Sequence, residues 1–349
     1  MTHRFDPAQS PEPLLEIKGL STEFATRDGI VRAVDDVSLQ IRKGEILGIV
    51  GESGSGKSIT AKSVMRLVPR PGRIVAGEIW FNGRDILRMG QSELQQVRGA
   101  QIGLILQEPM TSLNPVLQIG DQVGEVLAYH PDRVPPGKSV RDAVVEMLGR
   151  VRIADVVRRL VAYPMHFSGG MRQRVSIAVA TVAHPDLIIA DEPTTALDVT
   201  IQSQVLDLLL ELREEFGVSV LFITHDLGVV AQICDSVAVM YAGKVVEYQP
   251  VEDLFASPRH PYTQALLRSL PEIGTRLSRL ATIEGQPPDL SDLPVGCAFA
   301  DRCPFAEEQC RLEDPPPTPL APGSDASVRC WVAAREIESS RAAQGSLSR

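Results

Sequence analysis

The chain has 349 residues, 44% hydrophobic and 23% charged, with 27 Gly and 26 Pro. That describes a globular protein with one large domain and an appendage, and it excludes disorder, collagen and coiled coil. With 44 acidic against 35 basic residues the formal charge is −9, so nucleic acid is not an expected partner.

No apolar run approaches the roughly 20 residues that span a bilayer. Met1–Pro13 is polar and carries prolines where a secretory signal has an apolar core, so a cytoplasmic location is expected. Leu14–Ile17 reads as a first strand, and Val31–Ile41, alternating apolar and polar, as a half-buried second one; together they predict an antiparallel flap. Glu45–Val50 is an almost continuous apolar run that enters a Gly-rich turn and then a helical stretch, Ile59–Leu67. Residues from about 110 to 182 carry helical periodicity in Val140–Val157 and Val175–Ala183, which predicts a helical insertion. Strand-like runs resume at Leu187–Ala190, Val218–Thr224 and Ser236–Tyr241 around the helical Ile201–Phe216; such alternation predicts a parallel α/β sheet. From about Pro258 the chain turns to Pro, Cys and short polar segments, and Pro315–Pro319 bars a helix or central strand. The expected organisation is a main domain over 14–257, a small C-terminal domain over 258–335, and flexible tails at 1–13 and 336–349.

Gly51-Glu52-Ser53-Gly54-Ser55-Gly56-Lys57-Ser58 fits the phosphate-loop pattern between a predicted strand and a predicted helix. Backbone N–H groups of such a loop surround phosphates, Lys57 reaches the β- and γ-phosphates, and Ser58 ligates Mg²⁺. Leu187-Ile-Ile-Ala-Asp191-Glu192 puts two acids at the carboxyl edge of the sheet. Asp191 suits Mg²⁺, and Glu192 suits the base that takes a proton from the attacking water. Ser168-Gly169-Gly170 opens the helix that continues to Ala183, with Ser168 as N-cap; a second anion site and an ordinary capped helix are both open on these residues alone.

Together the phosphate loop, the acidic strand end and Ser168-Gly-Gly-Met-Arg-Gln173 resemble the nucleotide-binding subunits of ATP-binding cassette (ABC) transporters, over residues 14 to 260 or so. The resemblance implies an α/β fold of the P-loop NTPase cassette type, with a mixed sheet core, an antiparallel flap, a helical subdomain and here a small Cys-containing extension. It implies two cassettes stacked head to tail, the Ser168, Gly169, Gly170 and Gln173 signature of one capping the ATP of the other. It also implies roles for Gln107 in sensing Mg²⁺ and the membrane subunit, for Asp198 at the dimer interface, and for His225 at the γ-phosphate. An aromatic near the first hairpin stacks on adenine in that family, and Phe24 is the candidate. The cofactors implied are ATP and Mg²⁺, the latter held by Ser58, Gln107 and Asp191.

Asn114-Pro115, Asp198-Val-Thr-Ile-Gln202 and Ser257-Pro-Arg-His260-Pro261-Tyr262-Thr263 are similar to the ATP-binding subunits of oligopeptide and dipeptide permeases, nickel importers included. That narrower resemblance implies an ATPase driving peptide import at the cytoplasmic face of the inner membrane. Its implied partners are a second, non-identical ATPase subunit, two transmembrane permease subunits and, indirectly, an extracytoplasmic binding protein. Import of nickel or another small solute is the alternative, and a soluble ABC ATPase outside transport a more distant one. His260–Thr263 itself reads as a turn that starts a helix at Gln264–Leu270.

Cys297, Cys303, Cys310 and Cys330 stand at spacings that match neither a common zinc pattern nor a ferredoxin run, so a [4Fe–4S] cluster, zinc and reduced thiols all stay open. Resemblance to cluster-bearing peptide-permease subunits favours [4Fe–4S]. The isolated Cys234 reads as core.

Overall fold

Pro13–Thr26 forms β1 and Gly29–Arg42 forms β2 in the computed structural model, which describes residues 12–27, 29–107, 112–195, 197–270 and 283–347. The wholly buried β3, Ile46–Val50, runs through the phosphate-loop segment into α1, Lys57–Val64. Then come β4 (Gly72–Phe81), β5 (Arg84–Asp85), α2 (Gln91–Val97) and β6 (Ile102–Ile105). The helical stretch holds α3 (Ile119–Tyr129), α4 (Val140–Arg150), α5 (Val156–Arg159) and α6 (Gly169–Thr181).

α4 starts at Ser139, whose hydroxyl accepts from Asp142 N–H (3.2 Å) while the Asp142 carboxylate accepts from Ser139 N–H (3.1 Å), a reciprocal capping box. The single helix expected over Val140–Val157 is broken instead, because Arg152 and Asp155 take left-handed backbone angles, φ 60° and 51°. Beyond it lie β7 (Leu187–Asp191), α7 (Val199–Phe216), β8 (Ser219–Thr224), α8 (Leu227–Ile233), β9 (Ser236–Tyr241), β10 (Lys244–Pro250) and α9 (Val251–Ala256). The extension contributes α10 (Pro261–Arg268), α11 (Glu308–Leu312), β11 (Thr318–Pro319), β12 (Ser327–Val328) and α12 (Trp331–Leu347).

Two compact units divide the chain. One comprises the start of the chain, Gln40–Ile46 and Trp80–Ile223; the other Glu16–Leu39, Leu47–Ile79 and Thr224–Arg349. In the first, β6, β7 and β8 lie side by side and parallel, Ile102 opposite Leu187 and Asp191 opposite Ile223. α6 packs on β6, and α3, α4 and α6 pack on one another. Burial of Val123, Leu127, Val144, Met147, Leu148 and Ile177 at 2% exposure or less makes that bundle.

In the second unit β3 pairs parallel with β9, Leu47 opposite Ser236. β10 returns antiparallel on β9, and β12 of the extension is added antiparallel to β10, Glu247 opposite Val328. The unit division therefore does not follow the expected boundary at 257/258: the extension shares a body and a sheet with the strand that carries the phosphate loop. Of the expected tails, residues 1–11 and 348–349 lie outside the described residues, whereas 336–347 are helical in α12. Among the described residues no helix is long and apolar enough to cross a membrane.

Candidate functional site

Close packing makes the phosphate loop a glycine structure. A Cβ on Gly51 would stand 2.2 Å from Met240 O, and one on Gly56, at φ 102°, would stand 2.3 Å from Ala33 O. Lys57 opens α1 and is 5% exposed; its ammonium donates to Gly51 O (2.7 Å) and Glu52 O (2.9 Å). Ser55 is buried as well, while Ser53 and Gly54 are exposed at the tip and Glu52 and Ser58 are half-buried. The loop thus brings one ammonium and one hydroxyl to a helix start, groups that suit a polyphosphate.

Two contacts reach the loop from the extension, and sequence reading missed both. Glu52 N–H donates to the Tyr262 hydroxyl (2.9 Å), and the Glu52 carboxylate accepts from both Arg302 terminal nitrogens (2.7 and 3.0 Å). Tyr262 is 0% exposed and the Arg302 side chain 6%. Burial, foremost, pushes the Tyr262 phenol well above its ordinary pKa, so it stays a neutral hydroxyl. Phe24, the adenine candidate, is half-buried and its ring lies over Gly72, where a Cβ would be 2.5 Å from ring carbon Cε1. His225, just after β8, is exposed; Asp226 beside it caps α8 by accepting from Gly228 N–H (2.8 Å).

In the other unit the acidic strand end takes the expected form. Asp191 closes β7 at 3% exposure. Glu192, the next residue, has φ 47°, a left-handed conformation that costs a non-glycine residue about 1–2 kcal/mol and concentrates at functional positions. Its Oε2 accepts from Gln107 Nε2 (3.0 Å) and from Thr195 Oγ1 (2.8 Å). Gln107 and Glu192, far apart in sequence, are thus hydrogen-bonded, and Thr195 is a further contact that no motif signalled.

Ser168 is the N-cap of α6, its Oγ accepting from Met171 N–H at 3.4 Å; Ser168 and Gly169 are exposed. A Cβ on Gly170 would be 2.8 Å from Ile201 Cγ2. Gln173 does not share this surface. It is 0% exposed, with neither amide atom hydrogen-bonded, because it lies on the face of α6 that also buries Ser176, Ile177, Ala180 and Thr181. Past the exposed Gly169 and half-buried Gly170, the helix has turned Gln173 inward. Asp198 stands at the N-cap position of α7 with no side-chain capping bond, exposed beside Val199, which is 83% exposed.

All four late cysteines line one cavity of about 10 Å³ with His260, Phe299 and Trp331, and no disulfide joins them. Burial, then the neighbouring sulfurs, pushes the Cys297 thiol up to about 12, and burial raises Cys303 and Cys330 too. Opposing this, the backbone amide of Phe299 bonds Cys297, that of Phe305 bonds Cys303, and those of Val332 and Ala333 bond Cys330. Among the described residues no three His, Cys, Asp or Glu side chains converge as a single metal ion requires. Cys234 packs at the edge of the core, as expected.

Residues 34–195 match the family described as ABC transporter, and residues 246–310 match the oligopeptide/dipeptide transporter C-terminal region. The chain is 50% identical to the oligopeptide transport ATP-binding protein OppD of Salmonella typhimurium, over 90% of this chain and 94% of that one. It is 47% identical to the dipeptide transport ATP-binding protein DppD of Bacillus subtilis, over 94% and 97%. Among solved structures, an ATP-binding cassette captured as a dimer in a post-hydrolysis state with ADP and Pi is similar at TM-score 0.61 and 28% identity, over 68% of this chain and 98% of that one.

Proposed function

Since the chain belongs to the ABC transporter family and is an ATPase of that family, we propose that it is the ATP-hydrolysing subunit of a membrane permease that imports oligopeptides or dipeptides. One observation carries the peptide reading: similarity to the two peptide-transport proteins runs past the cassette and through the extension, where the oligopeptide/dipeptide region matches residues 246–310.

Lys57 and the loop amides hold the β- and γ-phosphates. Ser58, Gln107 and Asp191 would hold Mg²⁺, and their hydroxyl, amide and carboxylate oxygens are the hard donors it takes; when bound it neutralises phosphate charge. The Glu192 carboxylate, held by Gln107 and Thr195, takes the proton of the attacking water, and His225 steadies the γ-phosphate. Exposed Ser168 and Gly169, with Asp198 and Val199, face a second cassette, which we take to be a non-identical subunit. Phe24 is assigned to adenine. Two transmembrane subunits and an extracytoplasmic binding protein complete the assembly, with this chain peripheral on its cytoplasmic face.

The cysteines we assign to a [4Fe–4S] cluster. Four undisulfided thiols lining one cavity, with backbone amides bonded to three of the sulfurs, support that reading. Bound, such a cluster ties its four ligand segments together and adds a one-electron couple.

Two experiments test these readings. In cells lacking the chain, uptake of a labelled tripeptide should return with the parent and fail with Glu192→Gln; restored nickel uptake with no peptide uptake would overturn the substrate. Protein purified without oxygen should hold about four irons and four sulfides per chain, lost with Cys303→Ser; zinc instead would overturn the cluster.

A further inference from the structure

Glu52 occupies a position of the phosphate-loop pattern at which the pattern specifies no residue type, yet all three of its polar groups are engaged. Its carbonyl accepts from Lys57 (2.9 Å), its N–H donates to Tyr262, and its carboxylate takes the Arg302 fork. Two of these three groups, the N–H and the carboxylate, are engaged by the extension. On the extension's side Arg302 is aimed rather than loose. Its Nε donates to Glu284 O (3.0 Å) and one terminal nitrogen to the Tyr241 hydroxyl (3.2 Å), and its guanidinium lies over the Tyr241 and Phe299 rings at 5.7 and 5.8 Å. A planar cation with its donors in a fixed fork transmits position as a flexible ammonium does not.

The backbone that carries Arg302 begins and ends at two of the clustered sulfurs. Ala300 N–H donates to Cys297 O (2.9 Å), Arg302 N–H to Phe299 O (3.0 Å) and Cys303 N–H to Ala300 O (3.3 Å), so Cys297–Cys303 is one tight turn with Arg302 on it. Phe299, from the same turn, packs on Tyr241, Tyr262 and His260 with ring centroids 5.3 to 5.9 Å apart. Whatever fixes Cys297 and Cys303 also fixes the guanidinium that grips the loop.

We propose that Arg302 and Tyr262 are positioning residues for the phosphate loop, and that through Arg302 the state of the cysteine turn sets the affinity for nucleotide. The proposal rests on the reading of Gly51–Ser58 as the ATP site. On that reading the lysine that meets the phosphates and the glutamate gripped by Arg302 are tied to each other through Glu52 O, so displacing Glu52 displaces one of Lys57's two carbonyl anchors.

The test is a mutant cycle on the purified full chain, read by titration with a fluorescent ATP analogue. Arg302→Ala should weaken binding about tenfold and raise KM for ATP while leaving kcat at saturating ATP near the parent value. Arg302→Lys should recover only part of the loss. Tyr262→Phe, which removes one oxygen, should weaken binding about three- to fivefold. Cys303→Ser should weaken binding in the parent background and add nothing in the Arg302→Ala background. Unchanged affinity in Arg302→Ala, or full additivity with Cys303→Ser, overturns the proposal. If Arg302→Ala does not fold, Glu52→Gln and Tyr262→Phe decide in its place, and unchanged affinity in both overturns it equally. Failure of the parent itself to bind the analogue would strike the ATP reading instead.

Discussion

The phosphate loop and the start of α6 share a plan, a glycine-rich turn leading into a helix, but the chain builds them in opposite ways. Around the loop, Gly51 and Gly56 are walled in by backbone, Lys57 is 5% exposed and bonded to two loop carbonyls, and the extension grips Glu52. Ser168 and Gly169 stand exposed, and the only capping bond of Ser168 spans 3.4 Å. The contrast teaches where each surface finds its ligand's other half. A site that takes hold of its ligand first can bury its ligating groups in advance, whereas a surface that, on the reading proposed above, meets ATP already held by another molecule must present them outward.

Variants separate the two regions in order of effect. Glu192→Gln should leave analogue binding intact and lower turnover by on the order of 10²–10⁴; turnover at the parent rate would remove Glu192 as the base. Lys57→Ala should weaken binding to the isolated chain roughly 100-fold, since it deletes a charge-assisted contact from a buried cradle. Gly170→Val should do the reverse. Its side chain meets Ile201 at the exposed helix start, so binding to the single chain should hold while the concentration-dependent part of ATPase activity falls about tenfold or more. If Gly170→Val weakened binding to the isolated chain as much as Lys57→Ala, the division between inner and outward sites would fail.

A smaller effect sharpens the inner side of the comparison through His260. Burial holds its pKa down at about 3, and its Nδ1 accepts from Tyr262 N–H (3.0 Å). The folded chain keeps this imidazole neutral while the unfolded chain protonates it near 6.5, so the contribution is complete above 6.5 and is lost progressively as pH falls from 6.5 towards 3. Between pH 7 and 5 that amounts to about 2 kcal/mol. The buried Glu247 carboxyl, raised chiefly by burial, acts in the opposite direction, and its oxygens accept from Arg259 and His260 N–H. Urea unfolding of the parent and His260→Gln at both pH values isolates the histidine; equal losses in both proteins would show that it carries none of the acid sensitivity.

What the sequence disclosed follows from how local each feature is. The phosphate loop, the Asp191-Glu192 strand end and the strands β3, β7, β8 and β9 are contiguous apolar runs with glycine or acid at their ends, so residue order alone defines them. β4 escaped because only Ile79 and Phe81 of it are buried, and β10 because buried Glu247 and Gln249 interrupt its apolar run. The burial of Gln173 was not legible because a motif gives residue order and not the helical face. The Tyr262 and Arg302 contacts to Glu52 bridge 210 and 250 residues, and no periodicity signals a single long-range ion pair. His260–Thr263 was legible as the approach to a helix, but the helix begins at Pro261 rather than Gln264 and ends at Arg268, with His260 as the cap; its tyrosine's reach to the loop was not legible.

Placing Arg302 so late in the chain has a consequence for biosynthesis. Ribosomes deliver the N-terminus first, so the strand, the loop and α1 emerge long before the arginine that steadies them. A chain interrupted before residue 302 carries every nucleotide motif and lacks that brace, and one cut at 257 also leaves β10 without β12 on its outer edge, the kind of unpaired strand that recruits other chains. A segment translated long after the first nucleotide motif is therefore what reaches back to it, and fragments that end early are marked by their own exposed edge.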